Sequence, residues 1–148
     1  MAWEPMATVY LGIGSNLGNR RENVEKANGL LTKNNIEILK SSLLIETNPV
    51  GGPPQGKFLN GVLKVKTNLE PWQLLKALKS IESSLGRTKT VVNGPRTIDL
   101  DILLYDDIQL KTPDLTIPHP CMLERHFVMT PLKEIEPELY QRLIHAHR

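Results

Sequence analysis

The stretch Phe58-Leu-Asn-Gly-Val-Leu-Lys-Val-Lys-Thr67 runs straight into Asn68-Leu-Glu-Pro-Trp-Gln-Leu-Leu-Lys-Ala-Leu-Lys-Ser-Ile-Glu-Ser-Ser-Leu-Gly86, and the change of period between them decides the fold. In the first part Leu59, Gly61, Leu63 and Val65 alternate with Asn60, Val62, Lys64 and Lys66, the two-residue repeat of a strand. In the second part Pro71 suits a first helical position. Leu74, Leu75, Leu78, Ile81, Ser84 and Leu85 then hold one apolar face until Gly86 stops the helix.

Outward from this unit the same two periods recur. Upstream, Thr8–Ile13 is a β-branched, apolar strand that breaks into a turn at Gly14-Ser-Asn, Arg20–Leu31 places Val24, Ala27 and Leu31 at helical spacing, and Ile36–Glu46 reads as a second strand. Asn48–Gly56 holds three prolines and three glycines in nine residues and is a loop. Downstream, Arg87–Gly94 has no apolar period and is expected to be a mobile loop. Thr97–Tyr105 is a strand, Asp106-Asp107 a tight turn, and Gln109–Lys111 a short return strand. Phe127–Ile135 and Glu138–Ile144 read as helical pieces broken at Pro137. Strand, helix, strand, strand, helix, strand is the order of a ferredoxin-like split βαβ: an α+β fold, its sheet mainly antiparallel with helices packed on it.

Composition bounds the function. The chain has 148 residues, 18 Lys+Arg and 16 Asp+Glu, and its net charge of +2 is too weak a field to call for nucleic acid or membrane. This length predicts a single domain over 1–148 with its core at about 8–138, large enough to bury a core without staples. One cysteine, Cys121, excludes an intrachain disulfide framework. No apolar run reaches membrane-span length and no signal-like segment opens the chain, so the expectation is a soluble, cytoplasmic protein, taken as monomeric or weakly associating.

Two glycine motifs are false leads. Gly51-Gly-Pro-Pro-Gln-Gly-Lys57 fills the first seven places of a phosphate-binding P-loop. Phe58 then stands where Ser or Thr must hold Mg²⁺, Pro53 and Pro54 have no N–H to offer, and a strand follows instead of a helix. Gly12-Ile-Gly-Ser-Asn-Leu-Gly18 misses the dinucleotide fingerprint, because Leu17 occupies the third glycine's place, and it reads as a strand-to-helix turn or, as the second reading, a close backbone approach to a ligand.

Asp99-Leu-Asp101 carries more chemistry. Alternation puts both carboxylates on one strand face, with Ile98, Leu100, Ile102 and Leu104 on the other. Like charges a strand step apart repel, and a divalent cation would offset the cost. A solvated strand face is the other reading, and both stand on spacing alone. Around the pair lie Arg87, Lys89, Arg96, His119, Arg125 and His126. Acids that hold metal, flanked by cations that clamp phosphate, are what phosphoryl transfer requires. His119, Cys121 and His126 lack the paired spacing of a zinc site. His119, between Pro118 and Pro120, is suited to orient an anion, or is a loop histidine without a task. Phe58 and Phe127, the chain's two phenylalanines, read first as core packing.

Asn93-Gly-Pro-Arg-Thr-Ile-Asp-Leu-Asp-Ile-Leu-Leu104 closely resembles the signature of 6-hydroxymethyl-7,8-dihydropterin pyrophosphokinases, folate-pathway enzymes. So do Gly12–Leu17, Thr47 with Pro49–Gly51, Phe58-Leu-Asn60 and Ile117-Pro-His119 through Arg125-His-Phe127, in order over about Thr8 to Glu138. The resemblance implies transfer of the β,γ-pyrophosphoryl group of MgATP to the pterin hydroxymethyl oxygen, with release of AMP. It implies that Asp99 and Asp101 bind two Mg²⁺ ions and, with Arg87 and Arg96, form the catalytic set.

It further implies an ATP site of Glu82 at the ribose, Ile102 and Thr116 at the adenine, and Arg87, Lys89, Arg96, His119 and Arg125 at the phosphates. The implied pterin site is Thr47, Pro49, Val50, Phe58, Asn60, Asp99 and Phe127, with the two rings sandwiching the ligand. The chain departs from the family pattern at Lys89, Val92 and Asn93, in the loop expected to act as a lid. No residue stands out as general base. The rival readings are a noncatalytic ferredoxin-like nucleotide or RNA module, which would want exposed aromatics and a basic surface, and a metal-dependent phosphohydrolase, which gives Phe58, Asn60 and Phe127 nothing to do.

Overall fold

The computed structural model describes residues 5–87 and 94–146. Most of the loop expected over Arg87–Gly94, with Lys89, Val92 and Asn93, lies outside the described residues. The elements are β1 (Ala7–Ser15), α1 (Arg20–Lys33), β2 (Ile36–Ser41), β3 (Ile45–Thr47), β4 (Phe58–Thr67), α2 (Pro71–Ser84), β5 (Asp99–Tyr105), β6 (Leu110–Lys111), β7 (Thr116–Ile117), a one-turn helix (Met122–Glu124), α3 (His126–Ile135) and α4 (Pro137–Ala146).

The main sheet runs β2-β4-β1-β5, with every pairing antiparallel, and β3 continues the β2 edge of β4. This is the strand order of a ferredoxin-like fold, and the two helices begin as their sequences dictate. Asn19 Oδ1 accepts the N–H of Glu22 at 3.1 Å to cap α1. Gln73 Oε1 accepts the N–H of Glu70 at 2.8 Å to fix the first turn of α2, and Gly86 closes that helix with φ 88°.

Helices cover both sheet faces. Against one face, Val24, Ala27 and Leu31 of α1 and Leu74, Leu78 and Ile81 of α2 bury Val9, Leu11, Ile13, Leu63, Val65, Leu100 and Ile102. Against the other, Val128, Met129, Leu132 and Ile135 of α3 cover Tyr10, Val62, Leu103 and Leu104. Glu136, between α3 and α4, accepts from Lys64 Nζ at 2.6 Å and Lys40 Nζ at 3.1 Å, pinning those helices to the sheet.

Three sequence expectations need correction. The strand expected over Ile36–Glu46 is two strands, because Ser42, Leu43 and Leu44 oppose only Gly61 and Val62; the Ser42 hydroxyl accepts the Val62 N–H at 2.9 Å in place of a ladder bond. The return strand, at Leu110–Lys111, pairs with β7 and not with β5. Leu104 does not share a face with Ile102. Tyr10 pairs with Leu104 and Leu11 with Ile102, so Leu103 is an extra residue, and beyond this bulge Leu104 joins the Asp101 face while Tyr105 turns to the other.

Candidate functional site

The α3 helix does not cover its sheet face completely. Beyond Val62 and Leu103 the face opens into a cleft whose floor is central strand β1, and there β1 has Gly12 and Gly14. Gly12 pairs with Asp101, and Gly14 pairs with Asp99 on one side and Asn60 on the other. With no side chain at these two positions, the flanking strands alone furnish the floor, and each sends polar groups upward.

On the β4 side stand Phe58 and Asn60, and Asn60 Nδ2 donates to Oγ1 of the buried Thr47. A Cβ on Gly14 would lie 2.5 Å from Asn60 Oδ1, so the glycine is what leaves room for this amide. Phe127, just inside α3, faces the same space, and the Arg125 guanidinium lies 5.5 Å from its ring centroid. Asn48 and Val50 form the outer wall.

On the β5 side stand Asp99 and Asp101, with Arg96, Arg125, Gly94, Leu103 and Val128 around them. Asp99 is held between two guanidinium groups: Arg87 Nη1 donates to Oδ1 and Arg96 Nη1 to Oδ2, each at 3.1 Å. Arg87 also pairs with Glu82. Burial, then the charges of Asp99 and Glu82, push the Asp101 carboxyl up to about 7 despite the opposing pull of Arg96 and Arg125. Such a carboxylate is short of positive charge. Among the described residues no three His, Cys, Asp or Glu side chains converge, and a paired carboxylate of this kind fits Mg²⁺, which takes one or two carboxylates and completes its shell with water and phosphate oxygens.

His119 sits beside β5. Its backbone N–H donates to Leu103 O at 2.9 Å, and its Nδ1 accepts from the Cys121 N–H at 3.2 Å, so the tautomer assigned by this bond carries its proton on Nε2. Burial, helped by Arg125, holds its pKa below the usual histidine value.

Of the residues singled out from sequence, Thr47, Val50, Phe58, Asn60, Arg96, Asp99, Asp101, Arg125 and Phe127 share this cleft. Pro49 does not line it, because its loop presents Asn48 and Val50 instead. Arg87 reaches the cleft only through Asp99, and Glu82 is 4% exposed beneath it. The Ile102 side chain is in the apolar core on the opposite face, and Thr116 is outside the cleft on β7. Lys89 lies outside the described residues. Sequence reasoning passed over Leu103 as a site residue and left Gly12 and Gly14 between a plain turn and a close backbone approach to a ligand. The available signal was two glycines at strand spacing in an otherwise β-branched run, which marks a face kept bare for a ligand or another backbone.

Comparison with known proteins agrees with this architecture. The model of the 7,8-dihydro-6-hydroxymethylpterin-pyrophosphokinase family matches residues 10–137. The chain is 45% identical over 127 residues to the 2-amino-4-hydroxy-6-hydroxymethyldihydropteridine pyrophosphokinase of Bacillus subtilis, covering 85% of this chain and 76% of that protein. It is 47% identical over 134 residues to the Aquifex aeolicus protein of the same name, covering 90% and 83%.

A folic acid synthesis protein of Schizosaccharomyces pombe is 44% identical over 92% of this chain, which spans 19% of that longer protein. The crystal structure of Plasmodium falciparum HPPK-DHPS shares the fold, with a TM-score of 0.69 at 16% identity over 91% of this chain and 38% of that one. With the matched model spanning nearly the whole sheet and helices α1 to α3, this chain belongs to the 7,8-dihydro-6-hydroxymethylpterin-pyrophosphokinase family.

Proposed function

We propose that this cleft performs the family's reaction: pyrophosphoryl transfer from ATP to the hydroxymethyl oxygen of 6-hydroxymethyl-7,8-dihydropterin, in folate synthesis. The hydroxyl oxygen bonds to the β-phosphorus and releases its proton to solvent, the bond from that phosphorus to the oxygen bridging the α-phosphorus breaks, and AMP leaves with the bridging oxygen. The observation that carries this reading is the bare glycine floor, with a ring-and-amide pocket on one side and a carboxylate pair among arginines on the other.

Phe58 and Phe127 stack on the pterin, and Asn60, steadied by Thr47, reads its amide-like edge together with the backbone of the Val50 loop. Asp99 and Asp101 would hold two Mg²⁺ ions, which would supply neutralisation of triphosphate charge and a more acidic attacking hydroxyl. Arg87, Arg96, Arg125 and the Nε2–H of His119 donate to phosphate oxygens. Arg87 and Arg96 are both paired with Asp99, so holding phosphate and cation at this place would require an exchange of partners, the arginines to phosphate oxygens and the carboxylate to the cation. Any contact of Ile102 with the adenine is through its backbone, since its side chain is in the core. A cytoplasmic monomer is the working state we propose, in keeping with the small net charge and with described helices too short or polar to cross a membrane.

The test is product analysis after incubation with MgATP, with and without the pterin. AMP formed only with pterin, and lost in Asp99→Ala, supports the reading. ADP, or hydrolysis independent of pterin, overturns it in favour of a phosphohydrolase, and nucleotide binding without turnover favours a noncatalytic module.

A further inference from the structure

Two irregular segments border the cleft: residues 48–57, which lead into Phe58, and residues 94–98, which carry Arg96. They are far apart in sequence and belong to the two substrate sides just assigned. One side chain touches both. Asn16 follows the last residue of β1 and is 7% exposed, so water scarcely competes for its bonds. Its N–H donates to Arg96 O at 3.0 Å, and its Oδ1 accepts the Arg96 N–H at 2.7 Å. The Arg96 peptide is thus gripped on both sides, as a rung of sheet would be. The same amide's Nδ2 donates to Gln55 Oε1 at 2.8 Å and to Gly56 O at 3.0 Å.

We infer that Asn16 is a positioning residue that couples the two halves of the cleft, so that ordering of the 55–58 segment around the pterin also sets the backbone from which Arg96 meets the phosphates. This rests on the cleft reading above. The amide is planar, and its oxygen and nitrogen are both committed, so a shift of Gly56 cannot be absorbed at Asn16 without straining the bond to Arg96. Gly56 lies two residues before Phe58, and Arg96 Nη1 donates to Asp99 at 3.1 Å, so the stacking ring and the phosphate clamp share one anchor. A second substrate then meets a segment that the first has already ordered, which is positive coupling between sites.

The experiment uses the full chain and calorimetry of a nonhydrolysable ATP analogue with Mg²⁺, with and without saturating pterin. In the parent protein pterin should tighten the analogue about tenfold, within the usual range of coupling between sites. Asn16→Asp keeps the acceptor for Arg96 and loses both donors to Gln55 and Gly56. It should cut that tightening to about twofold or less, while analogue affinity without pterin stays within about twofold of the parent.

Full coupling retained in Asn16→Asp overturns the role. So does a parallel loss of both single-ligand affinities with the melting temperature, which is what a merely structural residue would show. If the variant does not fold, hydrogen exchange in the parent protein decides: pterin alone should slow exchange at both the Gly56 and Arg96 amides, and slowing at Gly56 alone overturns the role. A parent protein that binds no pterin and forms no AMP overturns the cleft reading itself, and this role with it.

Discussion

The buried carboxylate of Glu82 accepts the backbone N–H of Leu100 at 2.8 Å, joining α2 to β5 between the two aspartates. Its other close partner is Arg87, which reaches on to Asp99. Glu82 therefore acts as a strut beneath the carboxylate pair. Removing it leaves a buried N–H and a guanidinium short of an acceptor, so Glu82→Ala should lose about 2 kcal/mol of stability, the usual cost of an orphaned buried donor. Urea unfolding checks this. A change within experimental error would show that water takes over the Leu100 N–H.

Asp101 gives a pH dependence with a definite sign. Its carboxyl is raised from the ordinary 3.8 to about 7 in the folded chain. Between those values the folded state binds more protons than the unfolded one, so this group makes stability fall as pH rises through the window, with no contribution to the slope on either side. Metal-free Asp101→Asn should lose that component of the slope, seen as a flatter plot of stability against pH. Mg²⁺ needs the ionised carboxylate, so its affinity should rise with pH and level off above about 7. Titration of Mg²⁺ with an ATP analogue at several pH values reads this, and an affinity independent of pH would contradict it.

The glycine floor predicts a contrast between neighbours. In Gly14→Ala the new methyl would meet Asn60 Oδ1 at 2.5 Å, forcing the amide off Thr47. Pterin affinity should drop by roughly tenfold, the worth of a lost buried hydrogen bond, while binding of the ATP analogue alone stays close to the parent's. Gly12→Ala meets Leu103 and Asp101 only at 3.6 to 3.9 Å, ordinary contact, and should keep its pterin affinity. Fluorescence titration of pterin against both variants would settle it.

Phe58 and Phe127 are only half-buried, which leaves ring surface for a ligand. If they clasp the pterin, alanine at either should weaken its binding by about 1 to 3 kcal/mol, the range for stacking of a heteroaromatic base. Melting temperature should move less than for a fully buried core residue. Equilibrium binding and thermal unfolding on the same samples distinguish a stacking role from packing alone.

The parts of the fold legible in sequence were those with a local cause. β4 begins at Phe58 and ends at Thr67 as its alternation predicts, and α2 begins at Pro71. What escaped depends on partners distant in the chain. The break at Ser42–Leu44 exists because of Gly61 and Val62 opposite, and the face taken by Leu104 depends on its pairing with Tyr10. In the cleft, the carboxylates and arginines stood out by their spacing and the two phenylalanines only through the family resemblance, their own reading being core packing, whereas Gly12 and Gly14 contribute by lacking side chains. Asn16 stands in the Gly12–Leu17 motif, but its bonds span 39, 40 and 80 residues, and the motif does not name their partners.

Leu103, the extra residue of β5, has a consequence for how the strand tolerates change. Counting without it, Asp101, Ile102, Leu104 and Tyr105 alternate regularly and face the sides they do in fact face. The strand is built with one residue to spare, and that spare residue is spent as a partition. Its side chain lies against Gly12 at the rear of the cleft, and its carbonyl tethers His119. Deleting Leu103 should therefore leave a folded sheet in its proper phase, but with the wall between the carboxylates and the α3 core removed and the histidine cut loose.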